Sequence, residues 1–171
     1  MREPEKQRVQ IRILTLSWEY PPYKIGGIAA HVYELSKALT RKGQEVHVVT
    51  LGTFPYEENE GVHLHRIAID ASKPDFITRM NEEMKKIGAS IIGSTDTIID
   101  IIHAHDWMTY PAGIAIASVT GKPLVIHVHS TEFDRSGEHV NQMIYDIERR
   151  GMHAAQKIIA VSHLTRNIII S

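Results

Sequence analysis

Several residues in this sequence stand at spacings that could do chemistry. Lys24-Ile-Gly-Gly27 places two residues without side chains beside a lysine and just before an apolar stripe of helical period. At the start of a helix, backbone N–H groups point outward, and with the helix dipole and a nearby ammonium they can hold a phosphate. The segment is neither G-x-G-x-x-G nor Walker A, so it indicates neither dinucleotide binding nor P-loop chemistry. A glycine pair that merely makes a tight turn is the alternative. His105-Asp106-Trp107 sets a neutral ring, a carboxylate and a flat amphipathic surface side by side. That combination suits carbohydrate, because Asp accepts from vicinal hydroxyls while Trp packs on the apolar face of a sugar ring. Taken singly, Asp106 reads as a helix cap and Trp107 as a core residue.

Three His-x-His pairs, His63/His65, His103/His105 and His127/His129, lie on runs with strand character. Period-two alternation turns both members of a pair to one face, a geometry that metals use. A divalent-metal hydrolase is therefore a second reaction class, but the carboxylates and further histidines needed to complete ligation have no recognisable spacing. A pair in a buried sheet is expected to split, one ring packed and the other at the strand end. On that basis His127 is the packed residue and His129 the functional one. His129 leads into Ser130-Thr-Glu-Phe-Asp-Arg135, where Glu132, Asp134 and Arg135 supply charge and hydrogen bonds. Their alternative is a solvated loop with local ion pairs of little energetic weight. Glu57-Glu-Asn-Glu60 reads as a solvated loop, and the stripes that include Met80, Met84 and Met143 read as core.

These residues need a frame. Val9–Leu16, Glu45–Leu51, Val62–Ile69, Ile98–His105, Leu124–His129 and Lys157–Ser162 are short and rich in branched apolar residues, as strands are. Ile28, Val32, Leu35 and Leu39 make one helical stripe, with Gly43 placed for a C-terminal cap, and Phe76 to Ile91 make another. Helices are also expected from about Thr109 to Val119, with Pro111 in the first turn, on the face shared by Val140, Met143, Ile144 and Ile147, and from His163 onward. The alternation implies right-handed crossovers and an α/β, Rossmann-like, mainly parallel sheet with helices on both faces. Strand order does not follow from the pattern. Ligands of such sheets bind beyond the carboxyl ends of the strands. Trp18–Gly27, His105–Trp107, His129–Arg135 and Ser162–Arg166 all follow predicted strands, so one rim can collect them.

Composition narrows the partners. The 171 residues carry 19 basic and 20 acidic side chains, a formal net charge of −1, which gives no general electrostatic reason to bind nucleic acid or an anionic membrane. Zero cysteines remove disulfide frameworks, thiolate catalysis and thiolate zinc sites. A polar leader over residues 1–8 has no apolar h-region, and no stretch approaches the ~18 apolar residues of a membrane span. A cytoplasmic protein with one domain over residues 9–171 is the expectation.

Glu19-Tyr-Pro-Pro-Tyr-Lys-Ile-Gly-Gly-Ile28, His105-Asp-Trp107, His129-Ser-Thr-Glu132 and Ala160-Val-Ser162 resemble, in order and spacing, the N-terminal domain of glycogen/starch synthase-like retaining glycosyltransferases of the GT-B fold. The resemblance runs from about Val9 to Ser171. It implies two Rossmann-like domains facing across a cleft, and transfer of glucose from ADP-glucose or UDP-glucose to a glucan acceptor with retention, without a metal or other cofactor. It places Lys24, Gly26 and Gly27 at the donor diphosphate, His129 at the transferred glucose as a catalytic-site residue alongside Lys24, and Glu19, His105, Asp106 and Trp107 on the acceptor side. The family's C-terminal nucleotide-sugar domain has no counterpart in these residues, and the chain stops inside the apolar run Ile168–Ile170. A fragment inactive by itself is the resulting expectation. A glucan-binding or regulatory module without catalysis is the other reading.

Overall fold

In a computed structural model, which describes residues 9–137 and 139–171, the branched runs form strands and the periodic stripes form helices. The expected leader, residues 1–8, lies outside the described residues. In chain order the elements are β1 (Arg12–Leu16), α1 (Gly27–Arg41), β2 (Glu45–Leu51), β3 (Tyr56–Asn59), β4 (Val62–Ile67), α2 (Phe76–Gly93), β5 (Ile101–His105), a 3₁₀ turn (Trp107–Thr109), α3 (Tyr110–Thr120), β6 (Leu124–Val128), α4 (Glu132–Ser136), α5 (Gln142–Ala154), β7 (Lys157–Ala160) and α6 (His163–Ile170). The strands form one sheet in the order β3-β4-β2-β1-β5-β6-β7. All neighbours are parallel except β3 and β4.

From β1 the chain steps outward through β2 to β4, and from β5 it steps the other way through β6 to β7. The reversal therefore falls between β1 and β5. Loops leaving those two strands diverge and open a crevice at their carboxyl ends, the place where open parallel sheets bind ligands. That crevice collects the segments after β1, β5 and β6.

Strand alternation divides the core into two layers. Leu14, Leu16, Ile102, Ala104, Ile126 and Val128 pack with α2, α3 and α5 on one face. Ile13, Val46, Val48, Val62 and Leu64 pack with Val32 and Leu39 of α1 on the other. Gly43 follows α1 at φ +84°, in the left-handed conformation expected of its cap, and Pro111 lies in the first turn of α3. Gly151 lets α5 lie against the start of α3, since a Cβ there would meet Tyr110 in a forbidden overlap.

Three local expectations are corrected. Glu57–Glu60, expected to be solvated loop, instead lies in an antiparallel hairpin, with β3 (Tyr56–Asn59) on β4 and Glu60 and Gly61 in the turn at φ 51° and 81°. Two consecutive positive φ values are the signature of a tight hairpin turn, and a Glu at the first position hid it. Ser130–Arg135 is not a solvated loop but carries α4, capped reciprocally by Thr131 and Asp134. Met143 is 57% exposed at the first turn of α5, whereas Met80 and Met84 are core. The stripe of α5 instead buries Ile147, Glu148 and Gly151.

Candidate functional site

The loop after β1 is held from inside. Buried Glu19 accepts hydrogen bonds at one carboxylate oxygen from the amides of Ile25 and Gly26, both at 2.8 Å. Arg66 donates to the carbonyls of Pro21 at 2.8 Å and Leu51 at 3.2 Å and pairs with Glu57, tying this loop to β2 and the hairpin. Glu19, expected on the acceptor side, thus has a loop-holding role, and two of the amides expected to face a phosphate are already taken. An anion at this loop would meet the amides from Gly27 onward, where α1 begins, together with the exposed Lys24. Glu19 and Lys24 also line a cleft of about 650 Å³ with Trp18, Tyr23, Gly52 and Ile69.

The two glycines do not serve the backbone. Gly26 has φ −139°, and neither Gly26 nor Gly27 is among the residues of positive φ. A Cβ on Gly27 would meet nothing within 4 Å. Neither glycine is required by a positive φ, and the space beside Gly27 at the helix start is open.

At the end of β5, Asp106 does not cap the following turn with its side chain. It is 6% exposed, and its backbone lies at φ 67°, ψ 153°, a region nearly reserved for glycine. Burial raises its carboxyl to about 6, against the opposing pull of the Arg135 guanidinium. Arg135 pairs with Glu148 at 2.6 Å and Glu132 at 3.2 Å, both buried carboxylates, and stands 6.0 Å over the Trp107 ring. Trp107 packs on the core through its other contacts, as the bland reading of that residue had it. No motif or spacing marks Glu148, which lies on α5, far along the chain.

The histidines converge. His105 Nδ1 lies 3.1 Å from His129 Nε2, and His127 Nδ1 lies 3.3 Å from His103 Nε2. His31, one turn into α1, stands over them with its ring 4.7 Å from that of His127 and 4.9 Å from that of His129. The β6 pair splits as expected, His127 packed on the strand and His129 less buried just past its end, whereas His103 and His105 of β5 are both buried; all four rings share one face. Burial first, and then neighbouring rings, hold them neutral, His129 and His103 at about 4, His127 at about 3, and His105 well below its ordinary value. No sequence motif marked His31, which stands alone in the helical stripe.

A Rossmann-like domain with its polar segments gathered at one switch-point crevice is the architecture of a GT-B glycosyltransferase domain. The chain belongs to glycosyltransferase family 4, whose family model matches residues 25–171. It is 38% identical over 152 residues to an uncharacterised glycosyltransferase of Methanocaldococcus jannaschii, covering 85% of this chain and 36% of that protein. It is 32% identical over 169 residues to a glycogen synthase of Mycobacterium tuberculosis, covering 85% of this chain and 39% of that protein. The chain therefore spans little more than a third of the curated relatives it matches. Sucrose-phosphate synthase from Thermosynechococcus elongatus shares the GT-B fold over 94% of this chain and 45% of its own, with a TM-score of 0.78 at 14% identity. Among the described residues no helix is long and apolar enough to cross a membrane.

Proposed function

We propose that this chain forms the acceptor-side domain of a cytoplasmic, retaining glucosyltransferase of the glycogen/starch synthase kind, moving glucose from ADP-glucose or UDP-glucose to a glucan. The observation that carries this reading is the convergence of the Gly27 helix start and His129, whose ring stands 4.9 Å from that of His31, one turn along α1 from Gly27.

In the proposed reaction the bond between the anomeric carbon and the diphosphate oxygen breaks while the acceptor hydroxyl attacks from the same face. The acceptor proton passes to the departing phosphate oxygen, and no resident cofactor takes part. Charge develops in two places, an oxocarbenium-like sugar and an anionic diphosphate, and stabilising both lowers the barrier. Lys24 and the amides of α1 act on the anion. His129, neutral at physiological pH, orients the sugar through a hydrogen bond and is not a general base. Asp106 stands at the crevice as an acceptor of hydroxyl hydrogen bonds. Transfer also requires a nucleotide-sugar-binding domain on the far side of the cleft, so these residues alone are expected to be inactive.

The test is transfer of labelled glucose by the full-length protein from each donor to a glucan primer. Transfer from either donor supports the assignment, and none from either to any glucan overturns it. Maltooligosaccharide titration followed by tryptophan fluorescence separates catalysis from a purely glucan-binding role, which would bind without transferring.

A further inference from the structure

The histidine layer on the α1 face is unusual for a buried parallel sheet, where branched aliphatic residues normally fill such positions. His31 is on α1, His105 at the end of β5, His127 on β6 and His129 just beyond it, so three separate segments contribute. One ring nitrogen from each of the four lies within 4.8 Å of all the others. His105 is fully buried, and among the described residues its Nε2 has no hydrogen-bond partner; the Nε2 of His31 is likewise buried and unpartnered among them. Leaving such groups unsatisfied is costly, and a native structure that does so at two neighbouring positions calls for an explanation.

We propose that His31, His105, His127 and His129 form a four-imidazole site for a zinc-class divalent transition metal. A tetrahedral set around Zn²⁺ at about 2.1 Å has nitrogens about 3.4 Å apart, so closing the present array requires shifts of only about 1 Å. The donors are all neutral nitrogens, with no carboxylate or thiolate among the four. That selects Zn²⁺, Co²⁺, Ni²⁺ or Cu²⁺ over Mg²⁺ and Ca²⁺, which prefer oxygen. His103, 3.3 Å from His127, stands outside the four and holds the His127 ring, as outer partners do at metal sites. A bound ion would staple α1, and with it the Gly27 helix start, to the ends of β5 and β6. The site does not rest on the transferase reading. The two share His129, which would ligate through one ring nitrogen and keep the other for a hydrogen bond.

The probe is Co²⁺, added to the full chain after stripping with chelator, followed by competition with Zn²⁺. One equivalent should bind with the intense visible absorption of tetrahedral Co²⁺ and be displaced by Zn²⁺. At about 100-fold excess over Kd, the melting temperature should rise by about 5–10 °C. His31→Gln and His127→Gln should each abolish the tetrahedral absorption, with far-UV circular dichroism reporting that the fold persists. His47→Gln, in the separate cluster on β2, should not. Absence of both the absorption and the thermal shift in the unaltered chain overturns the proposal. So does an absorption that survives both variants. These readouts involve no sugar, so failure of transfer and failure of metal binding are told apart.

Discussion

Two regions of this protein carry the same sequence motif and end up with different properties. On β5 and β6, His103, His105, His127 and His129 face one another across adjacent central strands and are roofed by His31. On β2 and β4, His47, His63 and His65 also meet, with His47 Nδ1 3.1 Å from His65 Nε2, but they lie near the hairpin edge. There Glu45 contacts His47 at 3.0 Å and the Tyr56 hydroxyl contacts His63 at 2.9 Å. The edge cluster thus has partners of other chemical types. The central cluster has mainly its own rings and, among the described residues, two nitrogens without partners. The difference teaches that His-x-His spacing fixes which face the rings share, while the neighbouring strand decides whether they form a site.

The largest expected effect separates the regions by function. In the full-length protein His129→Ala should lower transfer by about 100-fold or more with the fold intact, as loss of one preorganised contact to a reacting group does. His65→Ala should leave it within about twofold. Equal rates for His129→Ala and the unaltered protein would remove His129 from the site.

A second pair contrasts Gly27, proposed to leave space for a ligand, with Gly151, which leaves space for the protein. Gly151→Ala should destabilise by about 1–3 kcal/mol, because the added Cβ drives into the Tyr110 ring. Gly27→Ala should leave the melting temperature unchanged and lower kcat/KM by about tenfold or more, since the added Cβ meets no protein atom within 4 Å and would stand in the way of a ligand. A Gly27→Ala protein that transfers normally would remove Gly27 from the ligand site.

The crevice end of β5 should be stabilised by losing its carboxylate. Asp106 titrates near 6 in the fold, above the ordinary value, so its favourable contribution is present at low pH and lost as pH rises through about 6. Asp106→Gly removes an ionised buried carboxylate and relieves the positive-φ strain, and a gain of about 1–3 kcal/mol at pH 7 is expected. The gain should shrink toward pH 4, as urea unfolding at the two pH values would show, and activity should fall. A destabilised Asp106→Gly at pH 7 would mean that its contacts with Arg135 and the Trp107 amide outweigh the burial cost.

The smallest effect belongs to the edge. Burial, followed by His47 and His63, lowers His65 to about 4. Its contribution to stability is present above the unfolded value near 6.5 and is lost as pH falls toward 4. His65→Gln should therefore lose less stability than the unaltered protein between pH 7 and 5, by about 1 kcal/mol after allowance for partial exposure. Identical pH profiles would show that His65 is as well solvated folded as unfolded.

Much of the frame was legible because it is local. Branched runs and 3.6-residue stripes located β1, β2, β4, β5, β6 and β7 and most helices, and Gly43 marked the end of α1 as its left-handed conformation requires. The rule that ligands gather at strand ends put Lys24, Gly27, Asp106 and His129 on one rim. The β3 hairpin and α4 were not legible, because Glu60 is an uncommon turn residue and five residues are too few to show helical period. The task of Glu19 was hidden for another reason. A carboxylate that holds amides six and seven residues ahead looks, in sequence, like any exposed acid.

The sequence by itself determined the α/β alternation, the family and the faces of the strands, since propensity and period act over a few residues. Tertiary structure alone decided strand order and therefore which histidines meet. Pairing β5 with β6 and setting the first turns of α1 beside their carboxyl ends brings together His31, His105, His127 and His129, which are separated by up to 98 positions in the chain. Their proximity depends on packing over the whole sheet, which no local spacing records.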